Sequence, residues 1–553
     1  MDTNENILID EKKENYTENK KMKKPKKWKY ALATLILVFS VMLLYVYFWT
    51  VAQFGKISFA QVIFHLVVPM EGANSSLVLS YFKTVVWLIL FVLLVAFLPF
   101  IPDANIWKKY KANKNNDVKE KTVKRPKYGT KKINRFSKIR PKLKKIIGAI
   151  RGFYTRHFLF VTVVVLVGVI VFDVISFGID QWLIDRFDSN TIFEDYYVDS
   201  SKASIEFPEE KKNLIIILAE SLETSFADKE NGGAMEENYI PNLTHLAKEN
   251  THFSSRENLQ GATEVSGTSW TMASMVAQTS GVPLMLPIGD NSYGKYAEFL
   301  PGITSMGEIL AKQGYNNELI LGSKSEFAGI DTYFLSHGNY KIFDYYTAIE
   351  KGYIDEDYYE FWGFEDKKLF EYAKEEATEL SKTGEPFSLI INSIDLHTPS
   401  GYLCPECGSV YSDKYKNVIS CQDRLINDYV QWAKKQDFYE DTVIVIVGDH
   451  VSMAPRVEEE YVKDEDYERT TYNVIINSRL EATNNINRDF TTMDMYPTIL
   501  AAIGCEIEGE RLGIGTNLYS GIPTVMEEMG KEKFMEEISK NSILYNEEIL
   551  CVE

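Results

Sequence analysis

The sequence predicts an α/β domain carried on an N-terminal anchor of apolar helices. Three observations predict it. Long apolar runs are confined to the part of the chain before residue 180, and from about 210 onward short apolar runs alternate with amphipathic stretches. Residues able to do chemistry stand directly after several of those short runs, where open α/β sheets bind their ligands. At 553 residues the chain also exceeds one compact core, so an anchor plus one or two globular units is expected.

The anchor comes first. Residues 31–49 (ALATLILVFSVMLLYVYFW) follow a lysine-rich start and are long enough to cross a ~30 Å hydrocarbon core as a helix. They lack the small-residue cleavage site of a removed leader, so a retained span is expected. Further spans are expected at 83–101 and 157–178. The stretch 54–72 is apolar but interrupted, and reads as an outer-surface or re-entrant element.

Charge orients the anchor. The net charge of -18 conceals two opposite regions: 102–156 holds 19 Lys/Arg against 3 Asp/Glu, and 157–553 holds 30 against 68. A basic stretch between two apolar spans is explained by the positive-inside rule, which argues against nucleic-acid binding and places residues 1–30 and 102–156 in the cytoplasm. Everything after about 179 then lies outside, as the extracellular or periplasmic part of a multi-pass protein of the cell membrane.

Five cysteines are too few for a disulfide scaffold, and an odd number leaves one unpaired in a monomer. Cys404 and Cys407 have zinc-knuckle spacing without a second pair. A loop disulfide, with Cys421 as a further candidate partner, is favoured over zinc.

In the α/β region, 213–219, 317–321, 387–394, 442–447 and 472–477 read as buried strands. Helical periodicity marks 241–250, 303–314, 422–436 and 493–503. Glu220 closes the first strand, and Asp449 and His450 close TVIVIVGDH. His397, with Asp395 beside it, follows the strand FSLIINSI. Carboxylate oxygen and imidazole nitrogen suit Mn²⁺, Mg²⁺ or Zn²⁺, and an imidazole after a strand can bind phosphate or carry a proton. Each has a plainer reading as a solvent-facing turn residue. The loop 261–271 (GATEVSGTSWT) carries hydroxyls ahead of an apolar helical run, where the positive helix end favours a nucleophile, although such loops most often only cap a helix.

As an ordered set, NLIIILAESLE, GTSWTMASMVAQTSGVPL, FAGIDTYFLSHG, FSLIINSIDLHTP and DTVIVIVGDHVSM resemble the lipoteichoic acid synthase and phosphoglycerol transferase branch of the alkaline phosphatase and sulfatase superfamily. The similarity is greatest to transferases that decorate periplasmic glucans. It implies a mostly parallel central sheet between helices and a divalent metal, Mn²⁺ first, held by Glu220, Asp449 and His450. It also implies Thr268 as the metal-bound nucleophile and His397 on the substrate phosphate. The implied activity moves glycerophosphate from phosphatidylglycerol to a glycan or glycolipid acceptor through a phospho-threonine intermediate. Phosphoethanolamine transfer, or a silent glycan- or lipid-binding relative, is the alternative. No C/S-x-P-x-R sequence lies near 268, which speaks against sulfatase activity.

In that branch a basic residue would stand where this chain has Glu326, and a local basic residue such as Lys324 would help offset the acidic field near the pocket. The expected layout is a cytoplasmic segment 1–30, an anchor 31–178, a linker 179–209, a catalytic domain 210–525 and a tail 526–553.

Overall fold

A computed structural model describes residues 27–67, 75–97, 139–285, 299–464 and 466–551. The expected cytoplasmic segment up to residue 26, and the first part of the basic loop, 102–138, lie outside the described residues. The chain forms two compact units, one of residues 1–46 and 79–173 and one of 47–78 and 174–553.

The first unit is helical. It holds most of α1 (Lys27–Phe54), while α2 (Phe59–Val67) belongs to the second unit. The first unit also holds α3 (Ser75–Phe97) from Leu79 on, and α4 (Ile139–Ser176) up to Asp173. Trp28–Phe54 and His157–Ser176 are long and apolar enough to cross a membrane, with mean hydropathies of 2.4 and 3.0. The expected span at 83–101 falls on α3, where the apolar stretch Tyr81–Ala96 is shorter, and 98–101 lies outside the described residues. Among the described residues, these two helices pass the length and composition test, where three spans are expected. Large apolar side chains point outward along these helices: Trp87 is 72% exposed and Phe160 68%. An apolar surface of that extent calls for a lipid or protein cover.

The second unit is built on one six-stranded sheet. Its strands are β1 (Asn213–Ala219), β2 (Asn316–Leu321), β3 (Lys341–Phe343), β4 (Phe387–Asn392), β5 (Thr442–Gly448) and β6 (Asn473–Ile476). Their order is β3-β2-β4-β1-β5-β6, parallel throughout except for the antiparallel edge strand β6. Side chains of a strand alternate between faces, and here both faces are covered. Leu214, Ile216 and Leu218 of β1 join one core cluster with Val443, Val445 and Val447, and Ile215 and Ile217 join the other with Ile444 and Ile446. Burial on both sides is why these strands read as unbroken apolar runs.

Helices flank the sheet: α5 (Pro241–Glu249), α6 (Thr271–Ser280), α7 (Met306–Lys312), α8 (Asp366–Ser381), α9 (Lys414–Ala433) and α10 (Met495–Ala502). The helix expected at 422–436 starts already at Lys414, because Asp413 caps it by accepting from the Tyr415 amide at 2.9 Å. A disulfide joins Cys407 to Cys421 on this helix, and Cys404 is a buried free thiol. The stretch expected as a linker places Ile192 and Phe193 in the first core cluster, and the stretch expected as a tail adds Phe534, Ile538 and Tyr545.

Candidate active site

The site forms where β1 and β5, paired side by side, end together. After β1 the chain turns sharply, with Ser221 at a positive φ of 54°, a conformation a non-glycine residue adopts at a cost. The turn is held from the next strand: Asp449 Oδ1 accepts from the Ser221 amide at 2.7 Å and from the His450 amide at 2.8 Å. Gly448 is required there, since a Cβ would stand 1.9 Å from the Leu222 carbonyl oxygen.

Asp449 thus spends one oxygen on the backbone. Its Oδ2 has no hydrogen-bond partner although it is buried, and the same holds for His450 Nε2, 3.4 Å away. Glu220 Oε1 stands 3.7 Å from that nitrogen. The ligand atoms of Glu220, Asp449 and His450 all lie within 4.8 Å of one another, and all three residues are buried.

Tautomer sharpens the point. His450 Nδ1 faces the Val451 carbonyl at 2.8 Å and must donate to it, so Nε2 directs either a proton or a lone pair at two carboxylates. Burial and the Asp449 charge raise the Glu220 carboxyl well above its ordinary range. Burial alone would lower the His450 imidazole, but Asp449, Glu220 and Glu264 outweigh it and hold it high. Two carboxylates around one imidazole, with two orphaned buried atoms, are a donor set that fits a divalent cation. A histidine that donates its second nitrogen to a carbonyl is the usual support for a ligating one.

Two threonine hydroxyls lie on the loop and helix start that adjoin this group. Thr268 is fully buried and closed on its own loop: its Oγ1 donates to the Val265 carbonyl and accepts from the Val265 amide, both at 3.0 Å. Thr271, the first residue of α6, lies 3.4 Å from Glu220 Oε2 and is only partly buried. Thr271 is the hydroxyl that opens the apolar helical run, where the positive end of the helix acts.

His397 lies past the end of β4, outside the three-residue cluster. Its Nδ1 donates to the Thr398 carbonyl at 2.9 Å and its ring packs 4.9 Å from that of Trp362. Asp395 is buried with neither oxygen hydrogen-bonded, and burial raises its carboxyl, as does the neighbouring Asp366. Lys324 sits over the rings of Tyr345, Tyr346 and Tyr359, between 5.3 and 5.9 Å from their centres. Glu326 keeps a buried oxygen without a partner.

The loop after His450 is anchored separately. Arg469 Nε lies 3.1 Å from both oxygens of buried Glu223, and Arg469 Nη2 donates to the Ser452 carbonyl at 2.6 Å.

The family model for sulfatases matches residues 212–505, more than half of the chain. The chain belongs to the sulfatase family. The sulfatase match begins one residue before β1 and contains Glu220, Thr268, Thr271, His397, Asp449 and His450. Within the family, the chain is 30% identical over 343 residues to phosphoglycerol transferase I of Escherichia coli K12. That stretch is 60% of this chain and 42% of the relative, so the chain spans under half of the relative's length.

Two solved structures resemble the chain at lower identity. Lipoteichoic acid synthase LtaP from Listeria monocytogenes is 19% identical, covering 60% of this chain and 80% of that one, with a TM-score of 0.44. Phosphoethanolamine transferase EptA from Neisseria meningitidis is 14% identical, covering 86% and 84%, with a TM-score of 0.45.

Proposed function

We propose that the chain is a membrane-anchored phosphoglycerol transferase, with Thr271 as nucleophile and phosphatidylglycerol as donor. A glycan or glycolipid is the acceptor. The observation that carries the reading is the Thr271 hydroxyl at the start of α6, 3.4 Å from Glu220 Oε2 and so beside the Glu220, Asp449 and His450 cluster. The likeness to phosphoglycerol transferase I supports the class of headgroup.

Glu220 orients the Thr271 hydroxyl, and the α6 N-terminus favours the alkoxide over the alcohol. Thr271 Oγ1 bonds to phosphorus as the bond to the diacylglycerol oxygen breaks, and diacylglycerol leaves as the alcohol. An acceptor hydroxyl then attacks the same phosphorus and restores the threonine. His397 is placed in this scheme as the contact to a phosphate oxygen. Glu220, Asp449 and His450 would hold the divalent ion, Mn²⁺ by preference, whose charge offsets that of the phosphoryl oxygens. The catalytic unit is assigned to the outer face of the membrane, following the basic segments 1–30 and 102–156.

The test incubates the full chain in detergent with Mn²⁺ and fluorescent phosphatidylglycerol or phosphatidylethanolamine, and assays diacylglycerol. Release from phosphatidylglycerol that disappears in Thr271→Ala but persists in Thr268→Ala is expected. Loss only in Thr268→Ala would return the nucleophile to that residue, and release only from phosphatidylethanolamine would replace the headgroup.

A further inference from the structure

The segment that leaves α1 touches three loops beside the site. The Thr398 hydroxyl, next to His397, donates to the Gln53 carbonyl at 2.8 Å. Gly55, at φ 71°, packs so closely that a Cβ would stand 2.1 Å from the Met453 carbonyl oxygen, just past His450. The fully buried Phe64 ring lies 5.6 Å from that of Trp270, the residue before Thr271. Between this segment and the loops is a cavity of ≈ 180 Å³, whose lining includes Ser58, Gln61, Glu264, Ser269, Met453 and Arg469.

Size and charge limit what fits. At ~30 Å³ per water the cavity holds the volume of several waters, well short of the several hundred Å³ of a drug-sized pocket, so it takes one small group. Its charges cancel in pairs, Lys56 with Glu458 at 2.6 Å and Arg469 with Glu223, and Glu264 remains. No surplus of positive charge invites a second phosphate. The walls instead offer hydroxyls, a carboxylate and the amide of Gln61, which is 4% exposed and donates to the Met453 sulfur, a weak acceptor, at 3.5 Å. That inventory matches a neutral polyol.

We propose that the cavity closed by Gln53–Phe64 binds the glycerol end of the transferred group. The identity of the polyol rests on the phosphoglycerol reading above; the existence of a polyol site does not. The glycerol belongs either to the lipid donor's headgroup or to a glycerol-terminated acceptor.

The experiment titrates the full chain in detergent, with Mn²⁺, against glycerol 1-phosphate and against inorganic phosphate by calorimetry. The wild type should favour glycerol 1-phosphate. Gln61→Leu should weaken that ligand by about tenfold or more while inorganic phosphate binds as before. Ser58→Val, at an exposed position, removes a hydroxyl that accepts from the Gln61 backbone amide at 3.2 Å and should shift it in the same direction, with Ser58→Asp, which keeps a cap, as the control for the helix start.

Equal binding of the two ligands by the wild type, or unchanged glycerol 1-phosphate affinity in both variants, overturns the site. Diacylglycerol release from phosphatidylglycerol vesicles, run in parallel, tests the transferase reading alone, so either can fail while the other stands. Slower release by Gln61→Leu assigns the cavity to the donor; normal release with slower transfer assigns it to the acceptor.

Discussion

Thr271 Oγ1 and Glu220 Oε2 stand 3.4 Å apart, one at the start of a helix and the other just past the end of the central strand. Replacing Thr271 with alanine should lower turnover by about a thousandfold or more without moving the unfolding midpoint, and serine should retain part of the rate. Thr268→Ala should do the reverse: it removes a loop hydroxyl bonded twice to Val265 and should cost about 1 kcal/mol in urea unfolding.

Metal dependence can be read without turnover. Mn²⁺ at a hundredfold excess over its dissociation constant should raise stability by about 2.7 kcal/mol, visible as a higher melting temperature that a chelator reverses. Asp449→Asn keeps an oxygen to accept from the Ser221 and His450 amides, so it should fold yet lose most of that gain. A variant that gains as much from Mn²⁺ as the wild type would remove Asp449 from the ligand set.

Arg469 and Glu223 form a pair in which the carboxylate is fully buried. Arg469→Met leaves that charge alone and should cost about 3–5 kcal/mol in chemical denaturation. Adding Glu223→Gln should recover part of the loss. A double variant as unstable as the single would show that packing of the arginine stem dominates.

Acid should act through His252. Burial holds its imidazole down at about 4 against an ordinary value of 6.5, and Nδ1 bonds the Asn473 carbonyl at 2.6 Å. Between those values the unfolded chain binds a proton that the native residue refuses, so stability falls as pH drops through this window. The loss by pH 4.5 should be on the order of 2–3 kcal/mol. His252→Asn should flatten the difference between unfolding curves at pH 7 and pH 4.5.

The five strands expected from the sequence all exist, because a strand buried on both faces announces itself as an apolar run. β1 matches its expected span, Asn213–Ala219, and β4 stops at Asn392, short of 394. It stops because the amides of Ile394 and Asp395 turn to the Asp366 carboxylate, at 2.7 and 3.1 Å. β3 was invisible: three residues, KIF, with only Phe343 buried, give no pattern to detect. α8 was missed because its charged face dominates EYAKEEATELS.

Glu220, Asp449 and His450 were legible as strand-end groups, and the sheet register brings them together by pairing Ala219 with Gly448. Within the hydroxyl-rich loop, Thr268 and Thr271 differ in structure by the local bonds that close Thr268 on Val265 and by Thr271's place at the start of the helix. The docking of Gln53–Phe64 had no local signal, as its partners lie hundreds of residues away.

β1 occupies an interior position of the sheet, bonded on one side to β4 and on the other to β5. Interior strands are among the last parts of a domain to open in native-state hydrogen exchange, while edges such as β3 and β6 fray first. Glu220 and the Asp449–His450 pair therefore hang from a part of the sheet expected to exchange slowly. Partial openings that loosen the periphery leave these three residues in register, so the cluster should persist until the sheet itself comes apart.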